Sequence, residues 1–156
     1  MIAHRLRTPN ASVQDVAPDA IAALRDVEMY LYRCGLDKKL IDLVKMRASQ
    51  INGCAFCLDM HSKDLRRMGE SEQRLYLLDG WRESPLYSAR ERAALAWTES
   101  LTRIADTHAP DDVFEQVRGV FDDKEIIDLT VAIGMINLWN RLMVGLRSDH
   151  PVDTAA

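Results

Sequence analysis

Apolar residues recur every three or four positions along most of the chain, with polar residues at the positions between them. This spacing puts the apolar side chains on one face of an α-helix, and no stretch shows the period-two alternation with turn signals that is typical of a strand. The pattern therefore predicts an all-α fold of about seven helices. Their expected spans are 18–33, 40–49, 54–67, 71–78, a helix opened by a capping box at 88–91, a helix starting at Pro110, and 125–144.

The first 17 residues lack this pattern and are predicted to form an extended N-terminal arm. They also lack the apolar stretch of about 7 to 15 residues that a secretory signal requires, so we expect a cytoplasmic protein. The length of 156 residues, with 47% hydrophobic and 28% charged residues, fits one compact domain over 1–156. A net charge of -4 without a dense run of Lys or Arg excludes nucleic acid and an anionic membrane surface as main partners.

The last predicted helix lies in the most apolar part of the chain. Residues 126–146 are long enough to span a bilayer, but they include Asp128, Asn137, Asn140 and Arg141, which a lipid-exposed helix would resist. We therefore expect a buried core helix and no membrane partner. Its apolar residues lie on most sides, more than the core of one small domain covers, so the sequence also predicts a homo-oligomer.

The candidate chemistry is concentrated in the motif GCAFCLDMH, residues 53–61. If the motif is helical, the Cα atoms of Cys54 and Cys57 lie about 5 Å apart, within the range of a disulfide. His61 then follows Cys57 by one turn on the same face. Three interpretations are open: a redox dithiol, a zinc site of Cys54, Cys57 and His61 that would need a fourth ligand, or a helix with buried sulfur.

The residues alone do not decide which sulfur is activated. Cys54 follows Asn52 and Gly53 and lies close to a helix N-terminus, whose free N–H groups stabilise a thiolate and lower the pKa of the thiol. The imidazole of His61 favours Cys57 instead. Both sulfurs therefore stay candidates for the nucleophile.

The block LVKMRASQINGCAFCLDMHSKDLRRMGE resembles the core of the AhpD-like alkylhydroperoxidases of the carboxymuconolactone decarboxylase superfamily, with a close match over residues 40–70. The segments ARERAALAWTESLTRI and INLWNRLMVGLR are similar to the later helices of small, mostly uncharacterised members. The shared motif, a glutamate, eleven residues and then C-x-x-C-x-x-x-H, is far more specific than C-x-x-C alone. The resemblance implies an AhpD-like helical domain with its motif core at 40–70, assembled as a trimer or a hexamer.

The resemblance also implies a role for each residue of the motif. Cys57 matches the cysteine that attacks the peroxide, Cys54 the cysteine that resolves the sulfenic acid into a disulfide, and His61 the relay histidine. Asp42 takes the position of the glutamate with a side chain one methylene shorter, so a bridging water is expected and Asp42→Glu would accelerate the reaction. Phe56 stands where some peroxidases of the family have a second histidine.

The activity that follows is a thiol-dependent hydroperoxide reductase or disulfide reductase. It uses a hydroperoxide substrate and a thiol or protein reductant, and it needs neither a cofactor nor a metal ion. Two alternatives remain. One is lactone decarboxylation, which gives no reason for a C-x-x-C pair, and the other is a non-enzymatic oligomeric protein with structural zinc or a vestigial dithiol.

Asp42 also has a simpler interpretation than catalysis. It lies four residues after Lys38 and three before Lys45, so an exposed ion pair on the helix surface explains it equally well. On one continuous helix Asp42 would lie about 18 Å along the axis from Cys54. Only tertiary packing could bring its carboxylate near the sulfurs, so its proposed role rests on the resemblance.

Overall fold

The structure, a computed structural model, describes residues 12–154 and confirms the predicted all-α fold, because no strand occurs in that range. These residues form nine α-helices and one 3-10 turn, Leu78–Gly80. The seven predicted helices are all present, and two short helices are additional. The helices are α1 (Val13–Val16), α2 (Pro18–Arg33), α3 (Lys38–Asn52), α4 (Ala55–Arg67), α5 (Glu72–Tyr76), α6 (Ala89–Thr102), α7 (Ile104–Thr107), α8 (Asp111–Arg118) and α9 (Asp123–Leu146).

Part of the predicted N-terminal arm is helical. Residues 1–11 of that arm lie outside the described residues, but Val13–Val16 form the single turn of α1. The turn forms because Ser12 and Asp15 make a capping box, in which each side chain accepts the backbone N–H of the other, at 3.3 Å and 3.1 Å. Within residues 12–154, helical structure therefore begins just after Ser12 and not at Pro18.

The central helix of the domain is α3, which packs against α4, α6 and α9. Its apolar residues enter the core, with Leu43, Val44 and Ala48 almost completely buried. The same helix also carries Lys45 and Ser49 into the interior. A helix that buries polar side chains at its centre has to give them hydrogen-bond partners there.

The most apolar helix, α9, is long and apolar enough to cross a membrane by length and composition alone. In the structure it packs against α2, α3, α4 and α6. Its polar residues Asp128, Asn137 and Asn140 are buried with it and have hydrogen-bond partners; the Tyr30 hydroxyl, for example, donates to Asp128 at 2.6 Å. α9 is therefore a core helix of the domain, as its composition predicted.

The chain reverses sharply between α3 and α4. Gly53 ends α3 with a φ of 66°, a left-handed conformation that costs glycine little. Its N–H and that of Cys54 then bond to carbonyl groups of the last turn of α3. Because α4 folds back along α3, residues early in α3 come to lie beside the middle of α4.

Candidate active site

Cys54 and Cys57 form a reduced, buried dithiol at the start of α4. Both cysteines are free thiols with 1% of their surface exposed, and their Sγ atoms lie 2.7 Å apart. The sequence predicted that Cys54 is the first residue of this helix. In the structure Cys54 is instead the N-cap residue of α4, with an extended backbone. Its Sγ accepts the backbone N–H of Cys57 at 3.3 Å. The sulfur thus takes the place that a serine or aspartate oxygen has in an ordinary cap.

The two thiols differ strongly in acidity. The pKa of Cys54 is lowered to about 7, chiefly because Cys57 donates its thiol hydrogen to the Cys54 sulfur, with the backbone N–H groups of the first turn adding to the effect. The pKa of Cys57 is raised because its proton is held by that same hydrogen bond and its sulfur is buried. The resting negative charge therefore lies on Cys54, mainly because of the thiol of Cys57 and, in smaller part, because of the helix terminus.

His61 and Asp42 come together across the two antiparallel helices. His61 is buried, and its Nδ1 lies 3.1 Å from the Oδ1 atom of Asp42. The bridging water that the sequence suggested is not needed, since the two side chains touch directly. A carboxylate at this distance favours the tautomer with hydrogen on Nδ1, which leaves Nε2 free to accept a proton. Among the described residues, no hydrogen bond joins His61 to either sulfur.

The predicted surface ion pairs of Asp42 do not form. Lys45 is buried and pairs with Glu28 of α2, while the ammonium group of Lys38 lies 3.6 Å from the centre of the Tyr32 ring. Asp42, Lys38 and Lys45 thus each have a partner on another helix instead of pairing with one another. These contacts are long-range, and helical spacing carries no information about them.

A network of polar side chains lies beside the dithiol, and the cysteine motif did not predict it. The Asn140 side chain donates to the Ser49 hydroxyl at 3.0 Å and accepts from the Asn52 side chain at 2.9 Å. Asn52 also bonds to Asn137 at 3.0 Å. Hydrogen bonds from Asn140 lower the pKa of Cys54 and partly offset the increase at Cys57. The sequence offered one hint of this network, namely that Asn137 and Asn140 lie three residues apart in the most apolar part of the chain.

A cavity of about 1080 Å³ opens beside the motif. Its lining includes Cys57, His61 and Asp42, but Cys54 is not among the described residues that line it. The remaining walls are mainly apolar, with side chains from α2, α3, α4 and α9, and α1 covers one side. Lining residues of this kind are Leu31, Ile41, Phe56, Met60, Ile136 and Trp139. A small-molecule substrate in this cavity would therefore meet the sulfur of Cys57 first.

One group of side chains in the same cavity has the composition of a metal site. Asp42, His61 and Asp64 each offer one ligand atom, and these atoms all lie within 4.8 Å of one another. The set contains oxygen and nitrogen donors only. It differs from the combination of Cys54, Cys57 and His61 that the sequence offered as a zinc site.

Comparisons with known proteins agree on the fold and the family. Residues 17–100 match the carboxymuconolactone decarboxylase family. The uncharacterised protein YdfG of Bacillus subtilis (strain 168) is 40% identical over 135 residues, which cover 86% of this chain and 92% of that protein. No activity is established for that relative, so the reaction has to be argued from the site.

Two solved structures extend the comparison. A protein of unknown function from Agrobacterium tumefaciens, suggested to be the antioxidant defence protein AhpD, is 51% identical with a TM-score of 0.89, covering 92% of this chain and 98% of its own. An uncharacterised peroxidase-related protein from Silicibacter sp. TM1040 is 26% identical with a TM-score of 0.73, covering 81% of this chain and 68% of its own. The described domain therefore has the AhpD-like helical fold.

The contrast in acidity predicts a single low-pKa thiol. In a Cys34→Ser background, ultraviolet absorbance of the thiolate should titrate with a midpoint of about 7. Cys54→Ser should abolish this transition. Cys57→Ser should keep the Cys54 midpoint below the ordinary thiol value of 9.0, because the serine hydroxyl can still donate. If the transition instead survives in Cys54→Ser and disappears in Cys57→Ser, the negative charge lies on Cys57.

The same shift predicts how stability depends on pH. A thiol whose pKa falls on folding from 9.0 to about 7 stabilises the folded protein fully above pH 9.0, and this contribution is lost as the pH falls through about 7. The stability of the reduced protein relative to Cys54→Ser should therefore rise between these two pH values. Urea unfolding at a series of pH values measures the difference, and a flat profile would contradict the assignment.

Proposed function

The chain belongs to the carboxymuconolactone decarboxylase family, and on that premise we propose that it is a thiol-dependent oxidoreductase that reduces hydroperoxides or disulfides through Cys54 and Cys57. One observation carries the proposal: a free dithiol with sulfurs 2.7 Å apart presents one of its sulfurs to a large apolar cavity. The direct pair of His61 and Asp42 in the same cavity supports it, because proton transfer accompanies both steps of dithiol chemistry.

The two sulfurs have different tasks in this reaction. We assign the attack to Cys57, since its sulfur lines the cavity, and the resolving role to Cys54, which lies behind it. Once Cys54 has lost its proton, the pair holds one proton, which rests on Cys57. When this proton moves across the 2.7 Å contact to Cys54, the negative charge moves to Cys57, where a substrate can be attacked.

The peroxide step oxidises Cys57 and ends in a disulfide with Cys54. The Cys57 thiolate attacks the distal oxygen of ROOH, so that an S–O bond forms, the O–O bond breaks and sulfur is oxidised by two electrons to a sulfenic acid. The proton on Cys54 passes through His61 to the leaving alkoxide and gives ROH. The Cys54 thiolate then attacks the Cys57 sulfur to form the disulfide, and the released hydroxide becomes water with a proton from solvent.

The disulfide requires two electrons from outside to return to the dithiol. We propose a low-molecular-weight thiol or a protein dithiol as the reductant, by attack of its thiolate on the disulfide and release of Cys54 and Cys57. This chemistry uses no cofactor and no metal ion. It also suits a reducing compartment, in agreement with the expected cytoplasmic location.

We also propose that the protein is a homo-oligomer. The single chain fully buries half of the apolar residues of α9 that suggested self-association. Ile127, Leu138 and Val144 of α9 remain exposed, and so do Met29 and Tyr32 of α2. A trimer or hexamer would cover such residues.

The first test of the function is peroxide-dependent disulfide formation. Treating the reduced protein with cumene hydroperoxide should remove two thiols and join Cys54 to Cys57 in peptide maps. Cys34→Ser should behave like the wild type, whereas Cys57→Ser should not react. A disulfide that includes Cys34, or no loss of thiols with either a peroxide or a small disulfide, would refute the proposed function.

A second prediction concerns Asp42. Asp42→Asn should slow disulfide formation about tenfold or more, because His61 loses the carboxylate that orients its ring and fixes its tautomer. Asp42→Glu should not accelerate it, since the direct 3.1 Å contact leaves no gap for a longer side chain to fill. This replaces the expectation drawn from the sequence. Asp59→Asn, whose carboxylate pairs with Lys63 instead, is the matched control. Equal rates in all these proteins would remove Asp42 from the mechanism.

A third prediction concerns assembly. Light scattering at micromolar concentration should give several times the mass of one chain. Ile127→Glu combined with Leu138→Glu should lower that mass, because each carboxylate would be buried in the interface. Tyr76→Glu, at an exposed residue of α5, is the control and should leave the mass unchanged. A monomer in the wild type would contradict the proposal.

A further inference from the structure

Lys45 is a buried cation in the wall of the cavity. The mechanism proposed above gives it no role. Only 7% of its surface is exposed, and it is one of the lining residues. Its ammonium group pairs with the Oε2 atom of Glu28. The other carboxylate oxygen of Glu28 accepts the indole N–H of Trp139 at 3.0 Å. Glu28 is thus fixed by two partners and in turn holds Lys45 in place.

The position of Lys45 along α3 puts it near the reacting sulfur. It lies one turn after Asp42, which contacts His61, and one turn before Ser49. Ser49 lies beside the Cys57 sulfur and lowers the pKa of that thiol. The antiparallel packing of α4 on α3 therefore sets Lys45 at a level between those of His61 and the dithiol.

The hydrogen bonds of Lys45 are incomplete. An ammonium group has three donors, and Glu28 is the only acceptor that Lys45 has among the described residues. Burying a cation with unused donors in a mainly apolar cavity is costly. Because Lys45 lines the cavity, a molecule bound there can reach these donors. The unused donors suit a bound molecule that brings an oxygen acceptor into the cavity.

We infer that Lys45 is a further catalytic residue, which hydrogen-bonds to the leaving oxygen of the peroxide; this inference rests on the proposed function. As the Cys57 thiolate attacks the distal oxygen and the O–O bond breaks, the electron pair of that bond collects on the proximal oxygen. The ammonium group of Lys45 stabilises this growing negative charge and keeps its own proton. The alkoxide is then protonated through His61 as described above. This stabilisation matters most for a peroxide whose leaving oxygen is strongly basic.

The test compares leaving groups of different basicity. Cumene hydroperoxide releases a strongly basic alkoxide, whereas peroxybenzoic acid, of similar size, releases a carboxylate whose charge is already delocalised. In single-turnover measurements of thiol loss, Lys45→Met should slow the reaction with cumene hydroperoxide about 100-fold and that with peroxybenzoic acid at most about threefold. A residue that only supports the fold would slow both reactions alike.

Two further variants test whether the effect comes from the loss of the Lys45 charge. Lys45→Met leaves Glu28 buried without its partner, so the double variant Glu28→Gln with Lys45→Met keeps the volume and removes both charges, and it should show the same selective loss. Lys39→Met, on α3 but outside the cavity lining, is the control and should match the wild type with both peroxides.

The outcomes separate the two proposals. Selective loss with cumene hydroperoxide supports the role of Lys45. Equal slowing with both peroxides, or no slowing, overturns that role and leaves the dithiol chemistry intact. A wild-type protein that reacts with neither peroxide refutes the proposed peroxide chemistry and, with it, the role of Lys45.

Discussion

The antiparallel packing of α4 against α3, made possible by the left-handed backbone of Gly53, is the constraint on which the rest of the site depends. It leaves Cys54 at a free helix N-terminus, whose backbone N–H groups stabilise a negative sulfur. It also brings Asp42 from early in α3 to His61 in α4. Without the reversal, a carboxylate twelve residues before the first cysteine would have no physical connection to it.

A reactive thiol usually combines a low pKa with access to the substrate. In this site the two properties belong to different cysteines. The resting negative charge belongs to Cys54, chiefly because Cys57 donates its thiol hydrogen there, whereas Cys57 is the cysteine that lines the cavity. The two sulfurs lie 2.7 Å apart, so one proton can pass between them. Both cysteines are buried, so the thiolate is shielded from bulk solvent.

Much of the fold follows from local rules. The seven helices were predictable because their apolar spacing and capping residues, such as Ser88 with Glu91 and Asp122 with Glu125, act within a few residues of one another. The dithiol and its histidine were predictable for the same reason. The predicted start of α4, at Cys54, was one residue too early, because cysteine is not an expected N-cap residue.

What could not be predicted are the contacts between helices. Spacing alone offered Asp42 two lysines, yet Lys45 pairs with Glu28 and Asp42 with His61, because the choice is made by which helices pack together. The network around Asn140 joins residues up to 91 positions apart, and a single sequence carries no sign of such pairs. These contacts control the acidity and orientation of the motif.

The apolar character of α9 has a consequence for synthesis. This helix follows in the chain every helix against which it packs, so α2, α3, α4 and α6 leave the ribosome before their shared partner exists. Until then the apolar face of α3 and the sulfurs of α4 are open to solvent and to oxidants. The nascent chain therefore passes through an interval in which its cysteines are accessible before the fold has set their reactivity, and an oxidising environment at that moment would act on an unformed site.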